Sequence, residues 1–120
     1  MIVVGVGASR GCPEAELRAL VAEALRDAEL APRRVDALAT ADIKADEPAV
    51  RALAAHHGWP LHTHAAEALA QVDVPTPSTV VAAHVGTPSV AEAAALLTSG
   101  GTLLVPKRRS AHATCAVAAS

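Results

Sequence analysis

Ile2-Val-Val-Gly-Val-Gly-Ala-Ser-Arg-Gly-Cys-Pro-Glu14 is the stretch on which the reading of the fold turns. Ile2–Val6 is a short β-branched run, the pattern of a buried strand. Gly5, Gly7 and Gly11 then bracket a tight loop, and Pro13 suits the first turn of a helix, where its missing N–H costs nothing. Leu17, Leu20, Val21, Ala24, Leu25 and Ala28 follow at helical spacing as one apolar stripe. Glu14 and Glu16 complement the positive end of the helix dipole, and Pro32 is expected to end the segment.

The same alternation continues outward. Val35–Ala41 predicts a second strand, followed by the polar loop Thr40-Ala-Asp-Ile-Lys-Ala-Asp-Glu-Pro48. A helix begins near Glu47, with Val50, Leu53, Ala54 and His57 on one face and Gly58 as its C-terminal cap. Leu61–Thr63 predicts a short strand and Ala65–Ala70 a short helix. Val74–Ser78 reads as extended linker, because each proline pushes its predecessor out of the helical region. Thr79–Val85 is expected as a short capped helix. Thr87-Pro-Ser-Val-Ala-Glu92 opens a further helix, with Ser89 and Glu92 at capping-box spacing and Thr87 before Pro88 as an equally good start. Its expected buried stripe is Val90, Ala93, Ala94 and Leu97, and Gly100-Gly101 stops it. Leu103–Val105 and Thr114–Val117 predict two final strands, with Lys107-Arg108-Arg109 between them. Strands alternating with helices imply a single three-layer α/β/α domain over residues 1–120, with a mostly parallel or mixed sheet of about five strands.

Composition narrows the function. The 120 residues are 52% hydrophobic, much of that alanine, and carry a formal charge of −2. That length suits one core and one domain, the commonest size being roughly 100–150 residues. Tyr and Phe are absent and Trp59 is the only aromatic residue, which argues against the stacking platforms of single-strand nucleic-acid binders. The slight negative charge argues against duplex binding. No run approaches the roughly 18–20 apolar residues of a membrane span. Met1 leads directly into Ile2-Val3-Val4 without a basic n-region, so no secretory signal is read and a cytoplasmic location is expected. Cys12 and Cys115, one distant pair without CxxC spacing, fit a reducing compartment.

Several groups carry candidate chemistry. Gly5-Val-Gly-Ala-Ser-Arg-Gly11 resembles a phosphate-binding turn, with Arg10 at hand for an anion. Its spacing is GxGxxxG rather than GxGxxG, and no GK[ST] follows, so a P-loop is excluded; a tight turn without a cofactor is the competing reading. In the Thr40–Pro48 loop, an extended backbone would place Thr40, Asp42, Lys44 and Asp46 on one face. The bland alternative has Asp46 capping the helix, Asp42 forming an Asx-turn and Lys44 solvated; capping does not explain Lys44. Ser89 and Glu92 are capping candidates. An acyl-enzyme mechanism is unsupported, since there is no GxSxG elbow and His84 is separated from Ser89 by a glycine and a proline. Lys107-Arg108-Arg109 is either a solvated turn or a carboxylate-recognising cluster. His56, His57, His62 and His64 lie within nine residues, but no cysteine or carboxylate sits at familiar ligand spacing, and no metal is assigned to them.

Four segments together carry a family resemblance: Val4-Gly-Val-Gly-Ala-Ser-Arg-Gly11, Leu38-Ala-Thr-Ala-Asp-Ile-Lys-Ala-Asp-Glu-Pro48, Gly86-Thr-Pro-Ser-Val-Ala-Glu-Ala-Ala-Ala-Leu96, and Leu104-Val-Pro-Lys-Arg-Arg-Ser110 with Thr114. In order and spacing the chain resembles the CobE family, which is also the C-terminal domain of CbiG proteins of cobalamin (vitamin B12) biosynthesis. The first loop departs from the family pattern, for Ser9-Arg10 keeps only the second of two usual basic residues. The resemblance implies a cobalamin-pathway protein without cofactor or resident metal. Its expected partners are a corrin or precorrin intermediate and other cobalamin-pathway enzymes, with neither nucleic acid nor membrane among them. Full-length CbiG is associated with opening the δ-lactone of cobalt-precorrin-5A and losing acetaldehyde; the stand-alone CobE-like form is linked to the pathway alone. The expected ligand-binding residues are Gly7, Arg10, Gly11, Lys44, Ser89, Lys107, Arg108 and Arg109, which would meet the carboxylates of the macrocycle. A hydrolase would use Asp42 or Glu47 as base and Lys44 or Arg10 to stabilise the oxyanion. A nucleotide- or phosphate-binding domain is the remaining alternative.

Overall fold

Strand β1 (Ile2–Ala8) leads into helix α1 (Glu14–Asp27), strand β2 (Ala37–Ala41), helix α2 (Pro48–His57), strand β3 (Leu61–His64) and the short helix α3 (Ala66–Ala70). After residues 73–88 come helix α4 (Val90–Ser99), strand β4 (Thr102–Arg109) and strand β5 (Ala113–Ala119). This is a computed structural model that describes residues 1–72 and 89–120. The sheet order is β3-β2-β1-β5-β4. β1, β2 and β3 run parallel, whereas β5 is antiparallel to both β1 and β4. β4 therefore points the same way as β1, and the expected mixed five-stranded sheet is observed.

Helices cover both faces. Leu17, Leu20, Val21, Ala24 and Leu25 of α1 and Val50 and Leu53 of α2 pack with Val4, Val6, Leu38, Cys115 and Val117 of the sheet. On the other face Ala93 and Ala94 of α4 and Leu69 of α3 meet Val3, Ala37, Ala39 and Ala41. Small side chains let α4 lie almost on the strand. A Cβ placed on Gly5 would stand 2.0 Å from the Ala91 carbonyl oxygen and 2.8 Å from the Ala95 nitrogen. This close approach, not a phosphate, is what glycine serves at position 5. Gly5 and Gly7 lie inside β1 rather than in a loop, because the strand runs on to Ala8.

Other boundaries move for local reasons. Pro13 is the N-cap of α1 rather than its first turn. The helix ends well before Pro32: Glu29 takes a left-handed φ of 59°, Leu30 N–H bonds the Leu25 carbonyl at 2.9 Å and Glu29 N–H that of Arg26 at 3.0 Å. These two bonds form a Schellman cap, with glutamate where glycine is usual. Pro32–Arg34 is a 3₁₀ turn, so β2 starts at Ala37 and not Val35. The Thr40–Pro48 segment is not extended, since Asp42–Lys44 forms another 3₁₀ turn. Asp46 does not cap α2. Glu47 holds the N-cap position without a side-chain bond to the helix, and Asp46 pairs with Arg51 at 3.3 Å. Ser89 does cap α4, its Oγ accepting Glu92 N–H at 3.4 Å. Leu97, expected in the α4 stripe, is 40% exposed, while Ala91 and Ala95 are buried. The expected linker Val74–Ser78, the helix over Thr79–Val85, and Thr87 lie outside the described residues.

Both thiols are free and buried; burial pushes Cys115 up to about 12. The chain ends meet at one margin of the sheet, where Ser120 N–H bonds the Met1 carbonyl at 3.0 Å. No helix among the described residues is long and apolar enough to cross a membrane.

Candidate functional site

Because β4 runs with β1, its basic C-terminal end reaches the edge of the sheet where β1 and β2 also end. An open cleft of about 350 Å³ forms there. Gly7 and Ala8 close β1, Lys44 comes from the turn after β2, Ser89 from the α4 cap, and Lys107 and Arg109 from β4. Ala41, Ile43 and Val90 supply apolar surface, and Ser110–Thr114 form the wall along the β4–β5 turn. No carboxylate side chain lines it among the described residues. Neither Lys44, Lys107 nor Arg109 makes a salt bridge among those residues.

The basic cluster is not a turn, as its sequence suggested; it is strand, and the strand divides it. β4 shifts register against β5 between Leu103 and Val105 and again between Val105 and Arg108, an interval that contains Pro106, which has no N–H to give to a ladder. Beyond the second shift, Arg108 pairs in register with Cys115 and turns to α1, where it bonds Asp27 and lies 3.6 Å from Glu23. Lys107 and Arg109 take the opposite face and enter the cleft. The fully buried Glu92 carboxylate holds the strand from below by accepting Lys107 N–H at 2.8 Å.

Arg10, Gly11 and Glu47 sit in a neighbouring groove with Asp46 and Pro48. Gly11 N–H is already engaged there by Glu47 Oε1 at 3.1 Å, so a carboxylate of the chain itself occupies the amide that a phosphate would seek. Asp42 is exposed and lines neither cavity. Of the residues singled out by sequence, the cleft thus gathers Gly7, Lys44, Ser89, Lys107 and Arg109, and leaves Arg10, Gly11, Arg108, Asp42 and Glu47 outside it.

Two further features could not be read from residue spacing. Ile43, 85% exposed, stands beside Lys44 at the cleft. At the other wall, Glu16 of α1 gathers the β4–β5 turn. Its carboxylate accepts the Ser110 hydroxyl, His112 N–H at 2.6 Å and the His112 ring through Nδ1 at 2.8 Å. The Ser110 hydroxyl, then the His112 ring and His112 N–H, hold Glu16 down at about 2. Only the spacing of Glu16 on α1 was visible beforehand; its partners lie more than ninety residues away. The histidines of α2 and β3 have local roles: His57 stacks on Trp59 at 4.1 Å and His64 bonds Thr98 at 2.7 Å.

Residues 2–118 match the family model described as cobalamin synthesis G C-terminus. The chain belongs to this family. It is 40% identical to the protein CobE of Sinorhizobium sp., over 98% of this chain and 79% of that protein. It is 30% identical to the cobalt-precorrin-5A hydrolase of Priestia megaterium, over 98% of this chain but only 32% of the hydrolase. A crystal structure of CobE, from the cobalamin biosynthetic pathway, superposes with a TM-score of 0.87 at 37% identity, covering 98% of this chain and 89% of that one. The chain is thus a cobalamin-biosynthesis protein of the CobE type, related to about a third of a cobalt-precorrin-5A hydrolase.

Proposed function

We propose that this protein binds a corrin-ring intermediate through the ring's peripheral carboxylates, in the cleft at the end of β1, β2 and β4. The observation that carries this reading is the convergence of Lys44, Lys107 and Arg109 on a cleft that no carboxylate lines among the described residues. Cations that make no salt bridge among the described residues attract anions from outside, and an Arg fork and two ammonium groups suit several carboxylates on one rigid ligand. Ser89 offers a hydroxyl at the helix α4 start, and Ile43, Ala41 and Val90 offer apolar area to the ring itself. The resemblance to CobE supports the pathway, and the cleft supports the ligand class.

Titration with hydrogenobyrinic acid, followed by its visible bands and by co-elution on gel filtration, tests the proposal. Saturable spectral change is expected, and Lys107→Ala and Arg109→Ala should each weaken binding about tenfold, the loss of one charge-assisted contact. Unchanged bands and no co-elution would refute it.

The 30% identity to a cobalt-precorrin-5A hydrolase supports a second reading, hydrolysis by this chain alone. Acetaldehyde release from cobalt-precorrin-5A is the assay. Of the residues proposed for that chemistry, Lys44 is in the cleft, whereas Asp42 and Glu47 are not; release that survives Asp42→Ala and Glu47→Ala would exclude both as the base.

A further inference from the structure

His112 is the one imidazole among the described residues that line the cleft, and its ring is held from behind. Glu16 Oε2 accepts the Ser110 hydroxyl and the His112 N–H, so this carboxylate faces the turn as a hydrogen-bond acceptor. The 2.8 Å contact is therefore Nδ1–H donating to Glu16 Oε1. Fixing the proton on Nδ1 leaves the Nε2 lone pair of the neutral ring available. The Ser110 hydroxyl and His112 N–H bind the same carboxylate, so both the position and the tautomer of the imidazole are set before any ligand arrives. A carboxylate behind a histidine is the arrangement that orients imidazole as a metal ligand and raises its basicity.

Nothing else in the site calls for such a histidine. Carboxylate reading is served by Lys44, Lys107 and Arg109, and the turn is already tied to α1 through Ser110 and the His112 N–H. Among the described residues no group of three or more His, Cys, Asp or Glu could hold a free ion. A single oriented imidazole suits a metal whose other positions are filled, as in the centre of a tetrapyrrole ring.

We propose that His112, positioned by Glu16, is an axial ligand to the metal of a metallated corrin bound in this cleft. Nε2 fills one axial position of the ring cobalt and displaces a water, with no change of oxidation state and no proton transferred. The inference rests on the corrin-binding reading and adds to it a preference for cobalt-bearing rings over metal-free ones.

The test uses two probes that differ only in the metal: cobyrinic acid in its cobalt(II) form and metal-free hydrogenobyrinic acid. With wild-type protein, the electron paramagnetic resonance of cobalt(II) should show each resolved high-field line split into three by one nitrogen nucleus. The cobalt ring should bind about tenfold more tightly than the metal-free ring, the scale of a supported histidine ligand. His112→Ala should abolish both the splitting and the preference, whatever it does to absolute affinity. Glu16→Gln should keep the ring in place and lose most of the preference. If wild-type protein binds both rings equally with no nitrogen splitting, or the splitting persists in His112→Ala, the ligation is wrong while corrin binding stands. If neither ring binds, both proposals fall.

Discussion

Adding a single methyl group at Gly5 should do more damage than any charge reversal on the surface of this protein. The new Cβ would lie 2.0 Å from the Ala91 carbonyl oxygen and 2.9 Å from the Ala95 Cβ. A relaxed C···O contact is about 3.3 Å, so α4 must retreat by about 1.3 Å along that line. Two of the three atoms it meets are backbone, and no side-chain rotamer can relieve them. Overpacking typically costs 1–3 kcal/mol, and a backbone clash beneath a helix belongs at the upper end, about 3 kcal/mol. For a domain of this size that corresponds to a fall in Tm of roughly 9–15 °C. Because Ser89 and Val90 enter the cleft from the start of α4, the same retreat should widen the site and weaken corrin binding. Thermal unfolding by far-UV circular dichroism, with fluorescence of the single tryptophan as second probe, measures the first effect. Gly11→Ala is the control: nothing lies within 4 Å of its Cβ and φ is 80°, so it should lose only about 1 kcal/mol for the left-handed backbone. A Gly5→Ala protein melting within about 2 °C of wild type would refute the argument that this glycine is there for close packing.

Four further outcomes follow from local chemistry. Glu29→Gly should raise stability by about 0.5–1 kcal/mol in urea unfolding, because the residue at the Schellman position then carries no Cβ penalty, part of which is offset by the added freedom of the unfolded chain. Glu16 should contribute to acid sensitivity: between pH about 4.5 and about 2 the unfolded chain binds a proton that the folded chain does not, so its stabilisation is whole above that window and lost as pH falls through it. A Glu16→Gln protein, compared by unfolding titrations at successive pH values, should show a shallower loss over that interval. Neither cysteine should react with Ellman's reagent at pH 8 in the native state, since burial raises both thiols; prompt reaction of one equivalent would contradict the described core. Arg108→Ala should cost under about 1 kcal/mol of stability, as for other partly exposed ion pairs. It should leave corrinoid affinity within about twofold, whereas Arg109→Ala should not.

Much of the architecture was legible in the sequence because it rests on short-range physics. The apolar period of Leu17–Leu25, the Gly58 cap of α2 and the Ser89 cap of α4 are local signals, and each stands where it was read. Lys44 was left over by capping arguments, and it lines the cleft. Where a boundary moved, a local 3₁₀ turn or cap moved it, whereas three misreadings that bear on the site depend on contact between distant parts of the chain. Gly5 looked like a loop residue because the helix that presses on it begins eighty-five residues later. Lys107, Arg108 and Arg109 looked alike until the register shift between Val105 and Arg108 and the Asp27 carboxylate drew Arg108 to the other face. Arg10 and Lys44 looked like neighbours across one site until Glu47 reached Gly11 and closed a separate groove. The Glu16–His112 pairing needs the β5 register as well as the α1 docking, neither of which a spacing rule reveals.

The meeting of Met1 with Ser120 has an engineering consequence. Both ends leave the sheet at the start of β1, and the cleft opens at the finish of that seven-residue strand, about 20 Å away at a rise of ~3.3 Å from each residue to the next. A short bridge could join the ends into a ring at little entropic cost, allowing new ends to be opened at an exposed turn such as that after α1. Left linear, the chain can hang from a support, a fluorophore or an enzyme by either end with its cationic mouth turned outward. For a protein proposed to bind a macrocycle, that geometry makes release measurable: fix one end, load the cleft, and time the departure of the ring.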